Sequence, residues 1–145
     1  MSLFLDTGVI VASANPRDQH HEAASRLLQM AGTGRFGDLI TSDYVFDEAV
    51  TLAYARTGRT DLAVRVGDLI LGTGPAGRLM GIAYVTPQAL LRAWARFQRL
   101  ATRGMSFTDC TSLEIIGTMG LDEIASFDHG FEGLVPRRTG ADSVA

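Results

Sequence analysis

The chain has 145 residues, a formal net charge of −3, 46% hydrophobic and 20% charged residues and 4 prolines, a profile that fits one globular core and excludes the disordered, fibrous and membrane-embedded classes. Its single cysteine, Cys110, excludes an intramolecular disulfide and, with no Cys/His cluster beside it, a zinc site, so a reducing cytoplasm is the expected setting. All 13 basic residues are arginine, which excludes a P-loop lysine, a Schiff-base lysine and a Ser-Lys dyad.

In chain order, Ser2 to Leu5 is a short apolar run ending at Asp6, and Val9 to Ala14 is a second apolar stretch stopped by Pro16; together they predict a strand and then a short helix. The early Asp6 and the lack of a basic leader predict neither a signal peptide nor a transmembrane helix. Asp18 to Ala31 has the apolar spacing of an amphipathic helix, with Gly32 and Gly34 ending it. Asp38 to Thr41 predicts a second strand, and Ser42 is a good N-cap for a long helix through Arg56, closed by Gly58. Thr60 is the expected N-cap of another helical stretch, in which Leu62, Val66, Leu69 and Ile70 share a face before the break at Gly72 to Gly77. Leu79 to Val85 returns to strand character. Pro87 suits a first helical turn, and Gln88 to Arg103 is predicted helical until Gly104. Ser106 starts one more helix, ending near Gly120, and Asp122 to Phe127 predicts a final buried strand, with a loose tail after Val135. Strands and helices therefore alternate along one domain spanning 1–145, which predicts an α/β fold with a mainly parallel sheet covered by helices on both faces.

Four acids stand where a core would not ordinarily tolerate them. Asp6 follows an apolar strand directly and could cap the next helix, form a turn or hold a metal. Glu48 falls at the margin of the stripe formed by Val45, Phe46, Ala49, Leu52 and Ala53, whereas Asp47 points nearly opposite, so Glu48 reaches either a cleft or an arginine at the core boundary. Asp109 shares a stripe with Leu113, Ile116 and Gly120 and points inward, where a carboxylate needs a partner or a cation; the competing account is a capping box with Ser106. Asp128 ends the apolar segment IASF and is either a turn residue or a fourth member of the same site.

One account covers all four: a carboxylate cage at the carboxyl ends of the strands, where open parallel sheets bind their ligands. Mg²⁺ or Mn²⁺ takes oxygen ligands, keeps open positions, activates water and stabilises a phosphoryl transition state. Asp6, Asp109 and Asp128 are then the expected ligands, with Glu48 as ligand or orienter of the attacking water. The acidic net charge does not exclude a nucleic-acid substrate, because bound cations reverse the local field.

The segments FLDTGVIVA, TSDYVFDEAVTL, MSFTDC and ASFDHGF, in this order and at these separations, resemble the PIN-domain ribonucleases, especially the toxins of VapBC-type toxin–antitoxin pairs. The resemblance spans nearly the whole chain. It implies a three-layer α/β/α sandwich, four site acids falling on Asp6, Glu48, Asp109 and Asp128, and Mg²⁺ or Mn²⁺ dependence. It further implies hydroxyl residues near the acids, matched by Thr7 and Ser106, an RNA substrate, a cognate antitoxin and a homodimer. Two positions depart from the family: Cys110 stands where a small alanine is usual, and Gly130 stands where many members carry a further acid.

Arg92, Arg96, Arg99 and Arg103 fall at helical spacing opposite Leu91, Trp94, Ala95 and Leu100, a stripe that either follows an RNA backbone or is a solvated face. His20, His21 and His129 have no partner at metal-ligand spacing and are read as non-catalytic. The face of Leu62, Val66, Leu69 and Ile70 is core or, in part, interface. A nuclease acting without an antitoxin and a non-cleaving scaffold are the competing functions. A phosphatase using a nucleophilic Asp would want a second Asp two residues on, where Gly8 stands.

Overall fold

The computed structural model describes residues 1–140. Their order is β1 (Ser2–Leu5), α1 (Thr7–Ala14), α2 (His21–Gly32), β2 (Asp38–Ser42), α3 (Asp43–Thr57), α4 (Thr60–Leu71), β3 (Gly81–Ala83), α5 (Pro87–Leu100), α6 (Phe107–Met119), β4 (Glu123–Ala125) and β5 (Arg137–Arg138). The five strands form one parallel sheet in the order β3-β2-β1-β4-β5. Leu3, Phe4 and Leu5 are consecutive and all fully buried, which requires cover on both faces of β1, since successive side chains of a strand point to opposite sides. Chain order runs outward from β1 in both directions, so the crevice between the carboxyl ends of β1 and β4 is the topological switch point.

The ends of α3 and α5 carry the predicted chemistry, whereas at α4 Arg59 and not Thr60 holds the N-cap position, and no side chain caps that helix start. Ser42 Oγ accepts from the backbone N–H of Val45 at 3.1 Å, and α3 closes on Gly58 in the left-handed region at φ 65°. Thr86 caps α5 by accepting from Ala89 N at 3.0 Å, with Pro87 in the first turn. Leu62, Val66 and Ile70 of α4 are buried and Leu69 packs against the same core, so that face is interior.

Three further expectations are corrected. The strands around Leu79 to Val85 and Asp122 to Phe127 contract to three residues each, and α2 begins at His21 because Asp18 to His20 form turns. The stretch after Val135 is not loose up to residue 140. Arg137 and Arg138 pair with β4, Ser126 N donates to Arg138 O at 3.1 Å, and the Arg138 guanidinium forms an ion pair with Glu123. Finally, α5 turns its small residues Ala89 and Ala93 inward, leaving Leu91 67% and Trp94 50% exposed. Arg92 and Arg96 instead bind the two carboxylate oxygens of the buried Glu114 on α6 at 2.8 and 2.7 Å, and Arg103 donates to the carbonyls of Gly130 and Glu132. Three of the four stripe arginines are thus tied to the protein itself.

Candidate active site

A pocket of about 550 Å³ opens at the switch point, and Asp6, Glu48, Asp109 and Asp128 all line it, with Thr7 and Ser106. Asp6 is held there by β1, whose last pairing leads its backbone N–H to the carbonyl of Ala125 at 3.1 Å. It occupies the N-cap position of α1 yet makes no side-chain capping bond, so capping does not explain it. Its Oδ2 accepts from Ser126 Oγ at 2.7 Å across the β1–β4 crevice, while its buried Oδ1 has no hydrogen-bond partner. The neighbouring Thr7 Oγ1 is buried and equally partnerless. Two unsatisfied buried oxygens on consecutive residues of the pocket lining are costly unless a ligand completes them.

Asp109 forms the capping box and also lines the pocket. Its Oδ2 accepts from Ser106 N at 2.9 Å while Ser106 Oγ accepts from Asp109 N at 3.0 Å, a full capping box, and the same carboxylate faces the pocket. Asp128 is exposed at the rim, where its Oδ1 accepts from Gly130 N at 2.8 Å. A Cβ on Gly130 would stand 3.1 Å from that oxygen, so the glycine gives the carboxylate room to fold back. Glu48 is half-buried beside the pocket and Asp47 is exposed, as the helical spacing requires. Cys110 is fully buried, and burial pushes its thiol upward, which makes it a packing residue.

Electrostatics tie the four acids into one group. Burial, then the charge of Asp109 and, more weakly, that of Glu48, push Asp6 up to about 7 against the bond from Ser126. Burial, then the charges of Asp128 and Glu48, push Asp109 up to about 6 against its bonds from Ser106. Like charges sharing a desolvated site behave in this way, and a divalent cation reverses the effect. Among the described residues, no three His, Cys, Asp or Glu side chains already close into a cage; the acids surround an open pocket instead. The donor set of carboxylates and hydroxyls, with its partnerless oxygens, fits a hard oxygen-seeking ion such as Mg²⁺ or Mn²⁺.

Sequence reasoning missed Arg56 and His20 in the pocket lining and the buried Ser126, which bonds to two of the acids. Ser126 joins Asp6 to Asp128, accepting from Asp128 N at 3.0 Å while donating to Asp6. Aligning the ends of β1 and β4 would have put Asp6 and Ser126 side by side. Arg56, two turns after Glu48 on α3, lines the same space, as does His20, whose ring stacks on Phe127. His21 and His129 are engaged elsewhere, with Ala12 O and with Glu132.

The described residues form a parallel sheet with an acid-lined pocket at its switch point, and the PIN domain family model matches residues 3–134. The chain belongs to the PIN domain family. It is 29% identical over 129 residues to the 23S rRNA-specific endonuclease VapC20 of Mycobacterium tuberculosis, covering 89% of this chain and 91% of that one. The crystal structure of VapC20, described as a sarcin-ricin loop cleaving toxin, superposes with a TM-score of 0.76 over 89% of this chain and 92% of its own. The fold is shared with VapBC2 from Rickettsia felis, at a TM-score of 0.63, 12% identity and 94% and 97% coverage. It is also shared with FitAcB from Neisseria gonorrhoeae, at 0.60, 16%, and 97% and 99%. No helix among the described residues is long and apolar enough to cross a membrane.

Proposed function

We propose that this chain is a Mg²⁺- or Mn²⁺-dependent endoribonuclease, the toxin of a toxin–antitoxin pair, whose single domain over residues 1–145 hydrolyses RNA phosphodiester bonds in the cytoplasm. The observation that carries this reading is the pocket in which four mutually repelling carboxylates and two partnerless buried oxygens face one space. Similarity over most of both chains to a 23S rRNA-specific endonuclease supports RNA, and ribosomal RNA in particular, as the substrate class.

Asp6, Asp109 and Asp128 would hold the ion, directly or through water, and Glu48 would complete its ligands or orient the attacking water by accepting its hydrogen bond. When bound, the cation supplies activation of water and stabilisation of the charge that develops on the scissile phosphate. Ser126 keeps Asp6 turned toward the pocket, Ser106 does the same for Asp109, and Thr7 offers a hydroxyl beside Asp6. Arg56, the one arginine in the lining, is placed to meet a phosphate.

Purified protein incubated with total cellular RNA in Mn²⁺, Mg²⁺ or EDTA tests the reading. Metal-dependent fragments that vanish in Asp6→Asn are expected. Folded, antitoxin-free protein that leaves all RNA intact would instead make the chain a non-cleaving scaffold. Two protein partners complete the proposal: a cognate antitoxin, tested by co-purification with the product of an adjacent short reading frame, and a second copy of the chain. The exposed Leu91 and Trp94 of α5 support self-association.

A further inference from the structure

His20, from the turn before α2, and Phe127, the residue beside Asp128, both line the acid pocket, and their rings stack at 4.2 Å with an interplanar angle of 16°. Phe127 is half-buried and His20 is exposed, so His20 is the member of the pair more accessible to a ligand. The turn that presents His20 is tightly held. His20 N donates to Asp18 Oδ1 at 2.8 Å, Arg17 N donates to Asn15 Oδ1 at 3.1 Å, and the carbonyl of His20 accepts from Ala24 N at 2.9 Å. His21 Nδ1 pairs with the carbonyl of Ala12 at 2.8 Å, anchoring the next residue to α1. The ring is thus a rigid shelf on the rim of the pocket that contains the four acids.

The surrounding charge gives the shelf a purpose. Among the described residues five acids and one arginine line the pocket, so beyond a bound cation and Arg56 a polyanion gains little from phosphate contacts there and is helped by attraction of another kind. Base stacking on an aromatic face is such an attraction. It does not depend on charge, tolerates any base, and is the usual means of gripping an unpaired nucleotide in RNA.

We infer that the His20–Phe127 ring pair is a stacking platform for an unpaired RNA base, which seats the strand so that an adjoining phosphodiester lies over Asp6, Glu48, Asp109 and Asp128. The inference rests on the ribonuclease reading and narrows its substrate to RNA with an unstacked base at the cleavage site, such as a loop or bulge. His20 is a positioning residue in this account and exchanges no proton.

The test is a set of hairpin oligoribonucleotides carrying 2-aminopurine at successive loop positions, titrated in EDTA with the Asp6→Asn protein, which lowers the pocket's negative charge and prevents cleavage. Stacking quenches the fluorophore. Quenching at one or two positions is expected, with weak dependence on salt between 50 and 200 mM, in contrast to phosphate-driven binding. Adding His20→Ala should remove the quenching and weaken binding about tenfold, while His20→Phe should restore both, and all three proteins should share one thermal transition. Quenching unchanged by His20→Ala, no rescue by His20→Phe, or no binding of any hairpin overturns the platform. Wild-type cleavage of total RNA in Mn²⁺, run in parallel, separates the two readings. Its absence strikes the nuclease, whereas cleavage with unaltered quenching strikes the platform alone.

Discussion

Asp6 is 5% exposed, keeps one oxygen unpaired and is raised from 3.8 to about 7 by burial and by Asp109. A carboxyl group whose folded-state pKa lies above its unfolded value binds protons more tightly when folded. Its contribution to the stability of the metal-free protein is fully present below about pH 4 and is lost as pH rises through about 7. The penalty at pH 8 is at most about 4 kcal/mol. Asp6→Asn should therefore raise the melting temperature of the metal-free protein at pH 8 and change it little at pH 4, while abolishing cleavage. Thermal unfolding at the two pH values checks this, and Mn²⁺ should stabilise the wild type at pH 8 but not the variant. Ser126→Ala should act oppositely on stability, costing about 1–3 kcal/mol by stripping partners from Asp6 Oδ2 and Asp128 N, and should lower the cleavage rate with the fold retained. That the four acids line one pocket was legible from the set rather than from any single member, since a cap or turn accounts for Asp6 or Asp128 alone but four acids at strand ends or inward helix faces call for one shared account. Ser126, Arg56 and His20 were not, because a serine after a strand, an arginine at a helix end and a histidine in a turn are all ordinary where they stand. The pairing of β1 with β4 sets Ser126 beside Asp6, the packing of α3 carries Arg56 into the pocket lining, and the turn before α2 brings His20 against Phe127.

At the scale of the element, alternating apolar runs and good caps made β1, β2, α3, α4 and α6 readable. The failures have two physical causes. β5 is the dipeptide Arg137–Arg138, which has no apolar signature, because it is an edge strand held by backbone bonds and by the ion pair to Glu123. On α5 the larger hydrophobes face outward and the packing is done by Ala89 and Ala93, so the apparent apolar face points away from the core. What joins α5 to α6 is instead Glu114, 8% exposed and held between Arg92 and Arg96. The two ways of breaking this cluster should differ. Glu114→Met frees two arginines that can turn to solvent and should cost about 1 kcal/mol or less. Arg92→Met together with Arg96→Met strands a buried carboxylate and should cost about 3 kcal/mol or more. Urea unfolding at neutral pH compares them, and equal costs would show that Glu114 escapes to water when its partners are gone.

At the scale of the whole molecule, the described surface is polar around the acid pocket and apolar on the outer side of α5 and the residues leading into it. Tyr84, Leu90, Leu91 and Trp94 are all exposed within one short stretch. Trp94 stacks on Phe97 and leans on Phe107, so part of this face is braced from within and presents a firm surface. Exposed apolar side chains grouped on one helix are expensive in water and are relieved most simply by a copy of the chain across a two-fold axis, where the same residues meet. Leu91 is 67% exposed and belongs to no described core cluster, so Leu91→Glu places two like charges across such an axis with little cost to the protomer. Light scattering after gel filtration should give a dimer mass for the wild type and a monomer mass for Leu91→Glu. The melting temperature of the variant should then lose its dependence on protein concentration, as expected when association no longer adds to stability. A dimer that survives Leu91→Glu would put the interface on another face and leave the outer side of α5 for a different partner.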